Sequence, residues 1–231
     1  MKVSVIGSGS WGTALSQAIV DNGHELLLYA RTEKARDEIN IEHTNKRYLK
    51  DAVLPNEIVA TSDLSEAVTF ADVIVIAVPT KVMRETARKI NEYLEKPKYI
   101  IHVSKGLEME TNKRMSEVIK DEIISDNLKG VGVLSGPSHA EELILRNPTV
   151  VAIASENDEL NKLIGISGSD LREINLSNST ISAAILSDVV DFELYDKENI
   201  VYIEKKTTSN DFSVGLRKND KNIEIAKNIK E

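Results

Sequence analysis

The 231-residue chain contains no cysteine, no excess of basic residues and no long hydrophobic run. Without cysteine, disulfide scaffolds, thiolate zinc sites and cysteine nucleophiles are excluded. The formal net charge of -8 argues against a nucleic-acid partner, which needs clustered lysine and arginine. No stretch approaches the roughly 18 apolar residues of a membrane span, and the apolar run that starts the chain is too short for a signal peptide. We therefore expect a cytoplasmic protein with no membrane insertion.

Hydrophobic residues make up 41% of the chain, enough for a folded core, and their order indicates the fold class. Up to about residue 157, short apolar runs suited to buried strands alternate with segments of helical period, which is typical of a parallel α/β sheet. Predicted strands are 3–6, 25–30, 58–61, 73–78, 99–103, 131–134 and 149–154. Predicted helices are 11–20, 33–41, 64–70, 83–94 and 113–124, and 138–146 lies between the last two strands.

From residue 158 the character of the sequence changes. Residues 165–169 are loop-like, and residues 175–180 are rich in Asn, Ser and Thr. We predict short strands at 200–203 and 212–216 and a polar helix at 222–230. No long apolar helix of the kind that builds a helical domain is visible in this part of the sequence.

The sharpest motif is Gly7-Ser8-Gly9-Ser10-Trp11-Gly12, a GxGxxG that ends the first predicted strand and opens the first helix. In this context it is the fingerprint of a dinucleotide-binding turn. Gly7 permits the tight turn, Gly9 lets a pyrophosphate approach the backbone, and Gly12 lets helix and strand pack closely. The alternative is an ordinary glycine turn before a helix. The motif predicts a Rossmann-type, doubly wound and mostly parallel sheet that binds NAD or NADP.

The nucleotide preference is read at the end of the second strand, about 20 residues further on. An enzyme restricted to NAD usually has Asp or Glu there, whereas this chain has Tyr29-Ala30-Arg31. Because a guanidinium suits a 2′-phosphate, we expect NADP to be accepted, alone or alongside NAD. The alternative is a solvated arginine that follows a strand.

Seven motifs in order carry a family resemblance. They are Gly7-Ser-Gly-Ser-Trp-Gly-Thr-Ala-Leu15, Asn45-Lys-Arg-Tyr48-Leu with Leu54-Pro55, Ala60-Thr-Ser-Asp63-Leu, Ala77-Val-Pro79-Thr, Ser104-Lys105-Gly106-Leu-Glu108, Arg114-Met-Ser-Glu-Val118 and Ser135-Gly-Pro-Ser-His-Ala-Glu-Glu142. Over residues 1 to about 158 the chain resembles the cofactor domain of NAD(P)-dependent glycerol-3-phosphate dehydrogenase of the bacterial type. The resemblance implies hydride transfer between nicotinamide and dihydroxyacetone phosphate or sn-glycerol 3-phosphate, for glycerophospholipid synthesis.

The resemblance also implies site residues. Cofactor contacts are expected from Gly7, Gly9, Ser10, Trp11, Gly12, Arg31, Tyr48, Lys105 and Ala140, and contacts to the phosphate substrate from Lys105, Gly136 and Ser138. Independently of the family, Lys105 follows a buried strand, which places it at the carboxyl edge of the sheet where ligands bind. An ammonium there can hold an anion or polarise a carbonyl; the alternative is a surface lysine.

Other candidates have structural alternatives. Ser138 and Glu141 fit a capping box, which is compatible with phosphate binding at the same helix terminus. His139 is a candidate general base, but its place in the motif does not establish geometry. His24, His43 and His102 show no metal-ligand spacing, and no metal site is expected.

The resemblance stops near residue 165. The family's second, mostly helical domain carries a catalytic lysine in a Gly-Ala-Leu-Lys-Asn type stretch and an Arg-Asn pair, and neither pattern is found here. The end of the chain, notably Gly215-Leu-Arg-Lys-Asn-Asp220, is similar instead to part of an extracellular solute-binding protein. We divide the chain into a dinucleotide-binding domain, 1–164, and a divergent segment, 165–231.

Three functional hypotheses follow. The first is a glycerol-3-phosphate dehydrogenase, with weak or no activity because the chain is expected to change character before the active site is complete. The second is a truncated or fused derivative that binds dinucleotide without catalysis, and the third is a small-molecule-binding or regulatory fusion protein. The catalytic proton donor is not assigned, and a homodimer stays open.

Overall fold

The computed structural model describes residues 1–135, 139–147 and 151–163, together with the backbone of six later strands. These strands are β8 Arg172–Asn175, β9 Thr180–Ala183, β10 Val189–Asp196, β11 Asn199–Lys205, β12 Phe212–Lys218 and β13 Lys221–Ile229. The chain divides into two compact units. The first contains the elements up to β9, and the second contains β10 to β13.

A seven-stranded sheet organises the first unit. Its strands are β1 Lys2–Ile6, β2 Glu25–Tyr29, β3 Val59–Thr61, β4 Val73–Ile76, β5 Lys98–His102, β6 Leu128–Ser135 and β7 Ala152–Ser155. Their order across the sheet is β3-β2-β1-β4-β5-β6-β7. The first six strands pair in parallel, and β7 pairs antiparallel with β6. The order reverses between β1 and β4, which is the switch point where ligands bind in open α/β sheets.

Helices follow the strands as the alternating pattern predicts. They are α1 Ser10–Asp21, α2 Glu33–Asp37, α3 Leu64–Phe70, α4 Met83–Glu92, α5 Met115–Glu122, α6 Ala140–Ile144 and α7 Asp158–Leu163. A π-helical turn, Glu38–Glu42, extends α2. Each predicted helix and strand up to β7 has a counterpart within two to four residues of its bounds, because buried strands and amphipathic helices carry different hydrophobic periods.

The core of the sheet lies under α3, α4 and α5. Ile74, Ile76 and Ile100 are fully buried and pack with Met83 and Ile119 in one cluster. Every residue of β4 is buried, so both faces of the central strand are covered, as its run of β-branched residues predicts. A covered central sheet fixes the positions of the loops that follow β1, β2, β4 and β5, and these loops build the site.

The second unit is an antiparallel meander, β10-β11-β12-β13. Strand predictions at 200–203 and 212–216 match β11 and β12. The predicted helix at 222–230 is wrong, because residues 222–229 belong to β13, which pairs with β12. Asn222, Ile223, Glu224 and Ile225 alternate between polar and apolar with a period of two, which suits a strand. Pairing with a neighbouring strand outweighs the weak helical propensity of a short polar segment.

Candidate functional site

A cleft of about 650 Å³ opens where β1 and β4 end. The glycine turn Gly7–Gly12 forms one wall, and Ala77, Val78 and Pro79, which follow β4, form another. Further lining residues are Tyr29, Arg31, Tyr48, Lys81, Glu85, Lys89 and Ser104. The cleft therefore lies at the switch point of the sheet, where parallel-strand folds bind their ligands.

The first and last glycines of the turn are required by the protein itself. Gly7 has a φ of +121°, and a Cβ there would lie 2.6 Å from the carbonyl oxygen of Ala77. A Cβ on Gly12 would lie 2.0 Å from the carbonyl oxygen of Gly7. Both positions exclude a side chain for reasons of packing alone.

Gly9 differs from both. A Cβ at Gly9 would meet no protein atom within 4 Å, and its φ of -74° is open to any residue. The space that a side chain would fill is the space in front of the helix that follows. This cradle fits the close approach of a pyrophosphate to the backbone.

Helix α1 begins at this turn with its N-terminus at the cleft. Gly9 is the N-cap residue and provides no side-chain hydrogen bond, and the first turn contains no acidic residue. The first N–H groups of a helix lack intrahelical acceptors and carry the positive end of the helix dipole. An anion that enters the cleft at Gly9 thus meets donors and no competing carboxylate from α1.

Asn45 fixes the glycine turn from the other side. Its side-chain amide, Nδ2, donates to the carbonyl oxygen of Ser8 at 3.0 Å and to the hydroxyl of Thr13 at 2.8 Å. Asn45 is 6% exposed. Asn45 belongs to one of the family motifs, but its role depends on contacts to residues 32 and 37 positions away in the chain, which the local sequence does not indicate.

Arg31, which follows β2, and Tyr48, from the segment between the π-helical turn and β3, both line the cleft. Ala30 is buried, and its N–H donates to the carbonyl oxygen of Thr61 at 2.8 Å, which fixes the backbone just before Arg31. The guanidinium of Arg47 stacks over the ring of Tyr48 at 5.2 Å from the centroid. No acidic residue follows β2 at the cleft wall, as the sequence indicates.

A second pocket of about 330 Å³ adjoins the cleft and shares Ser10, Trp11 and Val103 with it. Lys105 and Ala140 line this pocket, together with His139 and Glu141. Helix α6 begins at Ala140, and the preceding His139 makes no side-chain capping bond. Gly136 and Ser138, both predicted to bind substrate, lie outside the described residues, and so does the Ser138 capping-box prediction.

The loop that carries Lys105 is attached to α4 by Glu108. Both carboxylate oxygens of Glu108 accept from Arg84, at 2.8 and 2.7 Å. Arg84 and the Thr111 hydroxyl together lower the pKa of Glu108 to about 2. Arg84 also pairs with Glu122 of α5 at 2.6 Å, so the loop is fixed against two helices.

His102 in the sheet is buried, and Lys89 and Glu85 at the cleft form an ion pair with each other. His102 ends β5 at 5% exposure, and burial lowers its pKa, so it is neutral near pH 7. Lys89 at the cleft pairs with Glu85 at 2.6 Å, which lowers the pKa of Glu85.

In the part of the chain that the structure describes, no group of three or more His, Cys, Asp or Glu side chains is arranged to hold a metal ion. Among the same residues no helix has the length and apolarity needed to cross a membrane.

A protein-family model described as NAD-dependent glycerol-3-phosphate dehydrogenase N-terminus matches residues 2–161. The chain belongs to this family. The curated glycerol-3-phosphate dehydrogenase (NAD(P)+) of Staphylococcus haemolyticus is 48% identical over 163 residues, which cover 71% of this chain and 49% of that protein. The enzyme of the same name from Macrococcus caseolyticus is 49% identical over 163 residues, with the same coverage.

A solved structure gives the same result. The crystal structure of glycerol-3-phosphate dehydrogenase from Coxiella burnetii matches with a TM-score of 0.65 and 30% identity, over 72% of this chain and 51% of that one. The chain spans about half the length of the curated relatives it matches. The predicted family and Rossmann-type fold are confirmed, and the predicted NAD or NADP cofactor is confirmed at the level of the family.

The individual site residues stay predictions. The structure brings seven of them together in the main cleft, namely Gly7, Gly9, Ser10, Trp11, Gly12, Arg31 and Tyr48. Lys105 and Ala140 lie in the adjoining pocket. The predicted cofactor residues therefore follow one continuous surface, from the end of β2 past the glycine turn to α6.

Proposed function

We propose that this chain binds NAD or NADP in the main cleft, as the cofactor-binding part of a glycerol-3-phosphate dehydrogenase. The observation that carries the proposal is the geometry of the turn, where Gly7 and Gly12 are filled by protein and Gly9 is open in front of α1. Pyrophosphate binding needs a glycine that leaves room for the ligand at the N-terminus of a helix, and the first turn of α1 contains no acidic residue.

The chain's residues provide separate places for the parts of the dinucleotide. The pyrophosphate lies at Gly9 and Ser10, and the adenosine ribose lies beside Arg31 and Tyr48. Trp11, which lines both pockets, and Ala140, which lines the second, would hold the nicotinamide. When bound, the reduced nicotinamide supplies a hydride for a carbonyl carbon.

The substrate we propose is a small phosphorylated ketone or alcohol, dihydroxyacetone phosphate or sn-glycerol 3-phosphate, whose product serves glycerophospholipid synthesis. Lys105 lies in the adjoining pocket, next to the surface shared with the cofactor cleft. Its ammonium attracts the anionic substrate and stabilises negative charge that develops on the carbonyl oxygen. Contacts from Gly136 and Ser138 remain part of the proposal.

Turnover by this chain is proposed to be weak or absent. Reduction of the carbonyl adds a proton to its oxygen, and the family's Gly-Ala-Leu-Lys-Asn type stretch, which carries the lysine implied by the resemblance, is not found in the sequence. General acid–base assistance contributes roughly 10²–10⁴-fold to such reactions.

We also propose a cytoplasmic location for the protein. A homodimer is proposed as well, and light scattering of the purified chain tests it.

The second candidate function is dinucleotide binding without catalysis. The observation that favours it is the four-stranded sheet of β10 to β13, which stands in the part of the chain where the family resemblance implies a mostly helical domain. In this case the cleft binds cofactor as in the first candidate, but dihydroxyacetone phosphate is not reduced at all.

One experiment separates the two candidates. NADH and NADPH are titrated into the full chain while the fluorescence of Trp11, its only tryptophan, is recorded, and cofactor oxidation is then followed with dihydroxyacetone phosphate. Saturable quenching with slow, Lys105-dependent oxidation supports the dehydrogenase. Quenching with no oxidation supports the binding protein, and absence of quenching by either cofactor contradicts both.

A further inference from the structure

Lys105 lies between two points at which its loop is attached to the rest of the first unit. Before it in the chain, the hydroxyl of Ser104 donates to the carbonyl oxygen of Val78, which lies in the wall of the main cleft. After it, both carboxylate oxygens of Glu108 accept from the guanidinium of Arg84 in α4. The backbone that carries the Lys105 ammonium is therefore held from both sides.

The residues that follow Lys105 form a turn that is closed by its own backbone. The N–H of Glu108 donates to the carbonyl oxygen of Lys113 at 2.9 Å, and the carbonyl oxygen of Glu108 accepts from the N–H of Asn112 at 2.8 Å. Gly106, with a φ of +101°, leads the chain from Lys105 into this turn. Because the turn is one hydrogen-bonded unit, the position of Glu108 sets the position of the backbone beside Lys105.

The contact between Arg84 and Glu108 is a two-point contact between partly buried groups. Nε and Nη2 of Arg84 donate to Oε1 and Oε2 of Glu108 at 2.8 and 2.7 Å. The Glu108 side chain is 12% exposed and the Arg84 side chain 28%. A bidentate pair of this kind fixes orientation as well as distance, whereas a single contact between exposed charges does not.

Arg84 is itself held by α5. Its guanidinium pairs with Glu122 at 2.6 Å and with Asp121 at 3.2 Å, so it bridges two helices and the turn. Arg84 lines neither the main cleft nor the adjoining pocket. The connection from Arg84 to the adjoining pocket therefore runs through Glu108 and the backbone of the loop.

We propose that Arg84 and Glu108 are positioning residues for Lys105, and that the pair keeps its ammonium where the phosphate or the carbonyl oxygen of the substrate binds. Lysine has a flexible side chain, so the region that its ammonium reaches depends on where the backbone holds its base. A misplacement of about 1 Å costs a reacting group up to about 100-fold in rate.

This inference rests on the proposed function, because it assumes that Lys105 contacts the anionic substrate in the adjoining pocket. It goes further by giving a role at that site to Arg84, which touches neither pocket and belongs to none of the seven family motifs. The role is distinct from stability, since it predicts that the effect of Arg84 on the substrate depends on the presence of Lys105.

A double-mutant cycle tests this dependence. The affinity of the NADH-saturated full chain for sn-glycerol 3-phosphate is measured by phosphorus NMR, which also covers weak binding, for the wild type, Arg84→Gln, Lys105→Met and the double variant. Arg84→Gln is expected to weaken this affinity about tenfold when Lys105 is present and less than about twofold in the Lys105→Met background. A general loss of structure would weaken both backgrounds by the same factor.

Two further variants make the result specific. Arg88→Gln is the matched control, because Arg88 lies one turn later on α4 and, among the described residues, pairs with Glu122 and not with Glu108. It is expected to leave the affinity for sn-glycerol 3-phosphate unchanged. Arg84→Lys keeps the charge without the bidentate geometry, and it is expected to recover part of the affinity that Arg84→Gln loses.

Three results would contradict the inference, and they differ in what else they contradict. Equal weakening by Arg84→Gln in both backgrounds, or no weakening at all, overturns the positioning role while the proposed function stands. A wild type that binds NADH but binds sn-glycerol 3-phosphate no better than Lys105→Met overturns the proposed place of Lys105 as well. Absence of NADH binding contradicts the proposed function as a whole.

Discussion

Gly9 and Gly12 occupy the same turn for different physical reasons, and substitution separates them. We predict that Gly9→Ala folds with a free energy of unfolding within about 1 kcal/mol of the wild type, because its Cβ meets no protein atom. Affinity for NAD(P)H is expected to fall roughly tenfold or more, since the methyl group occupies the space of the pyrophosphate. Chemical denaturation and a fluorescence titration measure the two effects.

Gly12→Ala is the matched control on the same turn. Its Cβ would lie 2.0 Å from the carbonyl oxygen of Gly7, so the turn or helix α1 must shift. We expect a loss of stability of about 1–3 kcal/mol or more. A Gly9→Ala variant that binds both cofactors as tightly as the wild type contradicts the placement of the pyrophosphate.

Asn45 connects the segment after β2 to the glycine turn. In Asn45→Ala, the carbonyl oxygen of Ser8 and the hydroxyl of Thr13 lose the shared donor, in a buried position. We predict a loss of about 1–3 kcal/mol in the free energy of unfolding. Because the turn is also released, cofactor affinity is expected to fall as well, which the same titration measures.

Asn40→Ala controls for a general loss of stability. Asn40 forms two bonds with the backbone of Ala60, at 2.9 and 2.7 Å, and it does not line the cleft. Its loss is expected to lower stability without an effect on cofactor affinity at temperatures where the variant is folded. If both variants weaken binding equally, Asn45 has no positioning role.

Single side chains show where prediction from sequence stops. The glycine positions follow from motif and context, since tight turns leave few alternatives. Lys98 does not, because lysine is usually exposed, yet here it is 2% exposed and its ammonium donates to the carbonyl oxygens of Val68, Thr69 and Ala71 at the end of α3. The role of Asn45 likewise depends on contacts between segments that are distant in sequence.

At the scale of elements, the β5–α5 loop shows a specific pH dependence. The pKa of Glu108 falls from 4.5 to about 2, chiefly because Arg84 donates to its carboxylate. A carboxyl whose pKa is lower in the folded state stabilises the fold above its unfolded pKa, and this stabilisation is lost as pH falls. We therefore predict that the contribution of Glu108 is complete above about pH 4.5 and disappears as the pH approaches about 2.

Glu108→Gln tests this prediction by urea denaturation across that pH range. The difference in free energy of unfolding between wild type and variant is expected to be largest near neutral pH and to shrink toward pH 2. Glu110→Gln, on the same loop and with no resolved interaction with Arg84, serves as the control and should show no such trend. A difference that stays constant with pH would mean that the Glu108–Arg84 pair does not stabilise the fold.

Elements with a strong hydrophobic period are predictable, and short polar elements are not. The run Val73–Ile76 is a buried strand because almost no other structure satisfies four consecutive apolar residues between turns. The segment 222–230 combines polar residues with spaced isoleucines, which suits a helix or a strand almost equally. Antiparallel pairing with β12 selects the strand over the helix, and the local sequence of the segment does not indicate this pairing.

At the scale of the whole molecule, the family relationship covers residues 2–161, and the residues that line the main cleft all lie in this part of the chain. The strand order with its switch point between β1 and β4 follows from the alternating pattern and the handedness of parallel connections. The antiparallel strands β10 to β13 carry a weaker signature. Short apolar runs predict β11 and β12, whereas the mixed polarity of β10 and β13 does not identify them as strands. Cofactor binding therefore follows from motifs in the matched part of the chain, whereas catalysis depends on a proton donor that no motif of this sequence assigns.

The most direct test is calorimetric titration of NADPH into the full chain and into Gly9→Ala. We predict saturable binding to the wild type with one dinucleotide per chain, and binding at least roughly tenfold weaker to the variant at unchanged stability. Absence of binding to the wild type, or equal binding to a folded Gly9→Ala variant, would contradict a dinucleotide site at the glycine turn.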